Sequence, residues 1–304
     1  MKDCVIIIPI YNPDWKWNEC LQMLKKQQEV DFDLYIIDSG SRLADYEKDL
    51  EGLSYHIEKT TPQEFNHGGT REAARVACKD YPILVYMTQD AIPANEWAIR
   101  NILQAFQDYE VAAAYGRQLP HRNATILSAR ARAFNYPAES RKKTLEDAKK
   151  LGIKVSFISD TFAAYRSKAL EEIGGFPQRV ILGEDTYVAS KLVLAGYANQ
   201  YCAEAKIYHS HNYTIVEEFR RYFDTGVFHA MEPWIRKSFG QAEGEGARFV
   251  LAELMYLLKH KPFLLPSAIL RDGAKFTGYK MGLYYKKLPS ALRRQCSMTK
   301  AYWK

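Results

Sequence analysis

Apolar and polar residues fall along this chain in blocks that alternate between two periods. Val5-Ile6-Ile7-Ile8 is a continuous apolar run ended by Pro9, the pattern of a strand buried on both faces. Ile10-Tyr11-Asn12-Pro13 is turn chemistry. Trp15–Gln28 then sets Trp17, Cys20, Leu21 and Leu24 on one face of a helix. Phe32–Ile37 is a second strand, ended by Asp38-Ser39-Gly40-Ser41. A weaker helix over Leu43–Leu50 and a third strand over Tyr55–Glu58 follow. Phe65–Arg71 is a glycine-containing loop that opens a helix to about Lys79. Ile83–Met87, ILVYM, is a fourth strand that runs into the polar tip Thr88-Gln89-Asp90, with Pro93 as a stop. A helix over Glu96–Gln107 leads to a fifth strand, Val111–Tyr115. This alternation predicts an α/β protein with a mostly parallel sheet flanked by helices. Its crevice would lie at the carboxyl ends of the strands, where the polar tips gather.

The second half is less periodic. Gly116–Lys154 is Arg-rich and irregular, and Val155–Ser159 and Phe162–Tyr165 read as strands. Lys168–Ile173 is a short helix closed by Gly174-Gly175, and Gly183-Glu184-Asp185 opens an amphipathic helix through Ala195. Ala205–Tyr208 is a last strand, ending in His209-Ser210-His211. From Thr214 the pattern is helical, through Glu232 and then over Gly244–Lys259 and Pro266–Lys287. The expected division is therefore a catalytic α/β domain over 1–212 and a helical, basic extension over 213–304 that contacts acceptor, membrane or a second copy.

Composition narrows the class. A chain of 304 residues, 47% hydrophobic, can bury a sizeable core. Its five cysteines are scattered and lack C-x-x-C spacing, which argues for a reducing compartment and against a zinc site or disulfide framework. No leader-like segment and no apolar run near the ~20 residues of a membrane span occur, so a cytoplasmic protein is expected, peripheral to the membrane at most. The net charge of +6 is uneven. From Gly246 on there are twelve Lys and Arg against two acids, Glu253 and Asp272, a net +10, so the first 245 residues carry −4. With its many tyrosines, that tail suits an anionic membrane surface or a phosphorylated lipid. No nucleic-acid-binding motif accompanies it, so no nucleic-acid partner is expected.

Four clusters can carry chemistry. Pro9-Ile10-Tyr11-Asn12 and Asp38 end adjacent strands, where an Asp can accept a pyrimidine imide N–H and a Tyr can cover a base; two ordinary βα turns look the same. In Asn66–Arg71, Gly68 and Gly69 allow close backbone approach at a helix start, and Arg71 can meet a diphosphate or base. Asp90 and His209, each at a strand end, can hold Mg²⁺ or Mn²⁺, with His211 as a further ligand. Taken alone, Asp90 would more often cap a helix. Glu184-Asp185 suits the dipole at a helix start, and equally a general base for a hydroxyl.

Taken together, P-I-Y-N at 9–12, Asp38-Ser39, the acid ending strand four, E-I-G-G-F at 172–176 and G-E-D at 183–185 resemble the family 2 glycosyltransferases of GT-A fold. The resemblance covers about residues 3–210. E-F-N-H-G-G-T-R at 64–71, T-Q-D-A-I-P at 88–93, G-R-Q-L-P at 116–120 and R-A-F-N-Y-P at 132–137 are similar to the bacterial rhamnosyltransferases that build O-antigens and other surface polysaccharides. The resemblance implies an inverting transfer of L-rhamnose from dTDP-β-L-rhamnose to a lipid-linked saccharide. Pro9, Tyr11, Asn12 and Asp38 would hold the nucleoside, and Arg71, Gln89, Asp90 and Glu184 would line the donor site. Asp90 and His209 would bind the metal, and Asp185 would be the catalytic base. Thr88 and Gln89 stand where relatives often carry acids, which removes a carboxylate from the metal site. Besides the same fold with another UDP- or dTDP-sugar donor, two other readings stay open. One is a nucleotidyltransferase, although Pro9–Trp15 lacks the Gly-rich basic loop it would need. The other is a non-catalytic sugar-nucleotide-binding scaffold; a homodimer is compatible with any of the three.

Overall fold

The computed structural model describes residues 2–42, 44–240 and 243–303. The first strand, β1 (Cys4–Ile10), pairs in parallel with β2 (Phe32–Asp38) and with β4 (Ile83–Met87), and β2 pairs in parallel with β3 (Tyr55–Lys59). These are the four strands expected from the apolar runs. Between them lie α1 (Trp15–Leu24), capped by the Asp14 side chain, and α2 (His67–Ala77), whose first turn is closed by Asn66 Oδ1 accepting from Gly69 N at 2.6 Å. Leu43, where a helix was expected to begin, lies outside the described residues; Ala44–Leu50 is a 3₁₀ turn.

Beyond β4 the sheet becomes mixed. After the short β5 (Ile92–Pro93) and α3 (Ala98–Leu103), β6 runs over Val111–Leu119, longer than the expected fifth strand. Next come α4 (Ile126–Asn135), within the stretch that carried no clear period, and β7 (Arg141–Lys143). A single helical turn, α5 (Ala148–Leu151), follows. Val155–Ser159, expected as a strand, is not one: Gly152–Ser156 is a 3₁₀ turn. Lys143 holds it there, its buried Nζ donating to the carbonyls of Lys154 at 3.2 Å and Phe157 at 2.5 Å. The strand β8 (Phe162–Arg166) then inserts antiparallel between β4 and β6. After α6 (Ser167–Glu172) and α7 (Glu184–Leu194), β9 (Ala198–Tyr208) runs parallel to β6. Among the described residues the sheet order is β3-β2-β1-β4-β8-β6-β9-β5, with β7 on β9.

The two faces of the sheet are buried separately. Ile6, Ile8 and Val85 pack with Trp17 and Leu21 of α1, while Ile7, Tyr86 and Tyr165 pack with Ala74 of α2 and Val188 of α7. From Thr214 the chain is helical: α8 (Ile215–Met231), α9 (Pro233–Phe239), α10 (Glu243–His260), α11 (Leu265–Leu283) and α12 (Ser290–Cys296). A capping box between Thr214 and Glu217 starts α8. Phe223, Val227 and Phe228 of α8 share a core with Val180, Ile181 and Val193, so the helices are built onto the sheet rather than tethered to it.

Helices α8 and α11 touch backbone to backbone. A Cβ on Gly282 would lie 2.1 Å from the Phe223 carbonyl oxygen, and one on Gly278 2.3 Å from that of Phe219. Gly273, on the open side of α11, would meet nothing within 4 Å. Gly282→Val is therefore expected to destabilise by about 1–3 kcal/mol or more through overpacking. Gly273→Ala should stabilise by about 0.4–1 kcal/mol through the unfolded chain. Urea unfolding of the two variants measures both.

Candidate active site

The polar tips of β1, β2 and β4 border a cleft of about 350 Å³ lined by Pro9, Tyr11, Ser39, Phe65, Arg71 and Gln89, among others. Tyr11 is 51% exposed, so its ring is free to cover a planar group. Its backbone is held from both sides by one amide: Tyr11 N donates to Gln89 Oε1 at 2.8 Å, and Gln89 Nε2 donates to Tyr11 O at 3.2 Å. Gln89 thus acts as an extra rung between the ends of β1 and β4. Asn12 sits at φ 42°, a left-handed conformation that Asn tolerates. It ties the two loops together: its N–H donates to Ser41 Oγ and its Oδ1 accepts from Arg42 N, both at 3.0 Å. Asp38, 5% exposed, accepts from Ser41 N at 2.8 Å. A larger hollow of about 570 Å³ lies at the amino-terminal part of β2 and β3, bordered by Asp33 and Ser54, away from these tips.

At the end of β4, Asp90 meets both histidines that follow β9. Its Oδ2 is 3.6 Å from His209 Nε2 and 3.9 Å from His211 Nε2, and its Oδ1 accepts from Thr88 Oγ1 at 2.8 Å. One ligand atom from each of Asp90, His209 and His211 lies within 4.8 Å of the others. The tautomer of His209 follows from its other partner. Gln118 Oε1, 2.9 Å from His209 Nδ1, also accepts from Arg132 Nη1, while Gln118 Nε2 donates to Ser159 Oγ at 3.1 Å. Gln118 Oε1 is therefore the acceptor, His209 Nδ1 carries the proton, and the Nε2 lone pair faces Asp90. Burial pushes the His209 imidazole far below its ordinary pKa and keeps it neutral. One carboxylate and two neutral imidazoles make a donor set that fits a divalent ion, with the second nitrogen favouring Mn²⁺ over Mg²⁺.

A second cluster surrounds Arg71. Its Nε lies 2.8 Å from Asp160 Oδ2 and its Nη1 3.0 Å from Glu184 Oε1. Nη1 also donates to the His67 carbonyl at 3.0 Å, and the Arg71 carbonyl accepts from Tyr86 Oη at 3.0 Å. Asp160 Oδ1 accepts from Tyr165 Oη at 2.6 Å. Asp185 stands at the first turn of α7, where Thr186 N donates to its Oδ1 at 2.6 Å and Asp160 N to its Oδ2 at 3.4 Å. Burial opposes charge on Glu184, but Arg71 and His67 outweigh it and hold the carboxyl below its usual range. Asp185 goes the other way: burial first, then the Glu184 charge, push it up to about 6. Burial likewise raises Asp160, against the pull of Arg71.

The segment Ser159–Thr161 joins the two clusters. Thr161 O accepts from Thr88 N at 3.3 Å beside Asp90, Ser159 Oγ accepts from Gln118, and Asp160 N reaches Asp185. Asp160, Gln118 and Arg132 carried no assigned role in the sequence. Gln118 and Arg132 do belong to the G-R-Q-L-P and R-A-F-N-Y-P motifs, so that signal was present; Asp160, a lone acid in S-D-T, offered none. Arg221 of α8 is a further addition. It is exposed, makes no side-chain ion pair among the described residues, and acts electrostatically on His67, Glu184 and His211.

The residues 5–174 match the family described as Glycosyl transferase family 2. The chain is 48% identical over 300 residues to the O-antigen chain rhamnosyltransferase RfbN of Salmonella typhimurium, covering 98% of this chain and 95% of that protein. It is 47% identical over 304 residues to the O-antigen chain rhamnosyltransferase WbaN of Salmonella anatum, covering 100% and 96%. In fold it is similar to the mannosyltransferase PcManGT from Pyrobaculum calidifontis, a complex with GDP-Man and Mn²⁺ (TM-score 0.62, 17% identity, 94% of this chain and 88% of that one). It is also similar to S. aureus TarS 1-349 (TM-score 0.59, 16% identity, 99% and 88%). The chain belongs to glycosyl transferase family 2, and it is a glycosyltransferase with a GT-A-like fold.

If Gln118 sets the His209 tautomer, Gln118→Leu should weaken Mn²⁺ binding about 10–100-fold. Calorimetric titration of Mn²⁺ into the nucleotide-loaded protein reads this directly.

Proposed function

We propose that this protein transfers L-rhamnose from dTDP-β-L-rhamnose to a sugar hydroxyl of a lipid-linked saccharide in O-antigen-like surface polysaccharide synthesis, with inversion at C1. One observation carries the reading: the cleft beside Tyr11, the Asp90 cluster and Asp185 meet around Ser159–Thr161. Likeness to two O-antigen rhamnosyltransferases over nearly the whole chain supports rhamnose as the sugar. In this reading Tyr11 covers the base, and Asp38 and the backbone about Pro9 and Asn12 hold the nucleoside. The acceptor oxygen bonds to C1 from the face opposite the diphosphate as the C1–O bond to dTDP breaks. Asp185 takes the hydroxyl proton in the same step. Glu184 keeps Arg71 and Asp185 in register; its charge also makes Asp185 a stronger base. A Mg²⁺ or Mn²⁺ ion held by Asp90 and His209, with His211, would supply positive charge to the departing diphosphate. Arg221, which makes no side-chain ion pair among the described residues, offers a second cation to the same phosphates. The acceptor's lipid would keep the protein peripheral to the inner face of the cell membrane. No helix among the described residues is long and apolar enough to cross one.

Asp185→Asn should keep dTDP-rhamnose affinity and lose about 10²–10⁴-fold in turnover. Near-normal turnover in that variant rejects the assignment. The base works as a carboxylate, so activity should fall as pH drops below about 6, the value to which Asp185 is raised, rather than near an ordinary Asp value. Glu184→Gln removes a charge that raises Asp185 and should move this acid limb to lower pH. Arg221→Ala should weaken dTDP binding about tenfold while leaving thymidine binding unchanged, as for a contact made only to phosphate.

A further inference from the structure

We propose that the α10–α11 hairpin is the surface by which this protein docks on an anionic lipid bilayer. The inference deepens the reading above, which assigns a lipid-linked acceptor. Leu251, Met255 and Leu258, spaced four and three apart, form one face of α10 and are 61%, 63% and 63% exposed. Phe263, in the turn between the helices, is 72% exposed. Ile269, Leu270 and Phe276 continue along α11 at 58%, 62% and 61%. The inner faces are occupied otherwise: Phe249 packs edge-on to Phe134, and Arg130 lies 4.2 Å from the Tyr256 ring centre. The outer row therefore has no partner among the described residues, and side chains of this size are rarely left to water in such a run.

Charge decides what covers it. After Gly246 the two acids of the sequence are Glu253 and Asp272, 3% and 9% exposed, and Asp272 is paired with Lys275 at 3.2 Å. From Gly246 on, the outer surface of the hairpin thus presents apolar groups and cations with no exposed carboxylate among the described residues; the Glu245 carboxylate, at the start of α10, is taken up by Arg248 and Lys154, each at 2.6 Å. Lys259 and Lys261 are exposed beside the apolar row, and Lys280 lies over the Phe276 ring at 5.6 Å. Two copies meeting through this face would set like charges against each other. An anionic bilayer satisfies both halves: acyl chains take the apolar row and lipid phosphates take the cations. Of the tail tyrosines expected at the membrane, Tyr284 is 59% exposed, and two others are used internally. Tyr279 is buried with its hydroxyl 2.9 Å from His229 Nδ1, and the Tyr285 ring packs 5.7 Å from that of Trp303.

The test uses the full chain and needs neither donor nor acceptor, so its failure is separate from failure of the rhamnosyl reading. Flotation with phosphatidylglycerol-containing vesicles is compared with phosphatidylcholine vesicles, at low and high salt. The wild type is expected to float with the anionic vesicles, and less so at high salt. Leu258→Glu/Phe263→Glu should lose at least about tenfold of the bound fraction with its melting temperature and donor binding intact. Lys259→Glu/Lys261→Glu, on exposed positions that do not pack, should lose selectivity for the anionic vesicles. The proposal is overturned if the wild type ignores these vesicles or if both variants float as it does. Sedimentation of the wild type as a dimer that Leu258→Glu/Phe263→Glu splits would assign the face to a second copy and equally overturn it.

Discussion

The guanidinium of Arg71 is the point on which the candidate active site depends. It is 5% exposed and touches Asp160 from the segment before β8 and Glu184 from the start of α7. A charge in that position is tolerable because both neighbours are acids and Nη1 also donates to the His67 carbonyl. Leaving any member without its partner would cost about 3–5 kcal/mol, so three segments far apart in sequence are pinned together. Asp185 is neighbour to two of those acids and inherits its position from them. The geometry of the proposed base is thus a consequence of the ion pair.

Two carboxylates on either side of Ser159–Thr161 are driven in opposite directions. Around Asp90, burial disfavours charge, yet the acid is held below its ordinary range, with the Thr88 hydroxyl donating to its carboxylate. Around Asp185, burial and the Glu184 charge raise it. The same functional group is kept anionic at one station, as the proposed metal ligand needs, and basic at the other, as the proposed proton abstraction needs. Sheet topology makes this possible. The antiparallel β8 enters beside β4, so the segment leading into β8 arrives at the tip of β4, where Thr161 O accepts from Thr88 N two residues before Asp90.

The helical region is part of this arrangement. Phe228 sits against Gly183, where a Cβ would approach its ring to 2.9 Å, so α8 fixes the turn that presents Glu184 and Asp185. Gly183 takes a left-handed φ of 81° there, which few side chains permit. Asp224 of α8 in turn accepts from the backbone N–H groups of Met298 and Thr299, each at 3.0 Å, and clamps the end of the chain back onto the helix.

What the sequence determined by itself were the features set by local pattern and by motif. The apolar runs of β1, β2 and β4, the glycine-led starts of α2 and α7, the helical course after Thr214 and the family motifs were all legible, because burial on two faces and chain turning leave short-range marks. Asp90, His209 and Asp185 could be named because each ends or begins an element with a clear boundary. The tertiary structure alone decided which of these meet. The expected strand at Val155–Ser159 gave way to a 3₁₀ turn because the buried Lys143, distant in sequence, binds its carbonyls. The helix α4 has no fully buried residue and hence no sharp period to read. Gln89 took the Tyr11 backbone as its partner, and Asp160 and Gln118 gained their roles from contacts across the sheet. Pairings of that kind depend on strand order and register, which the spacing of residues along one chain does not encode.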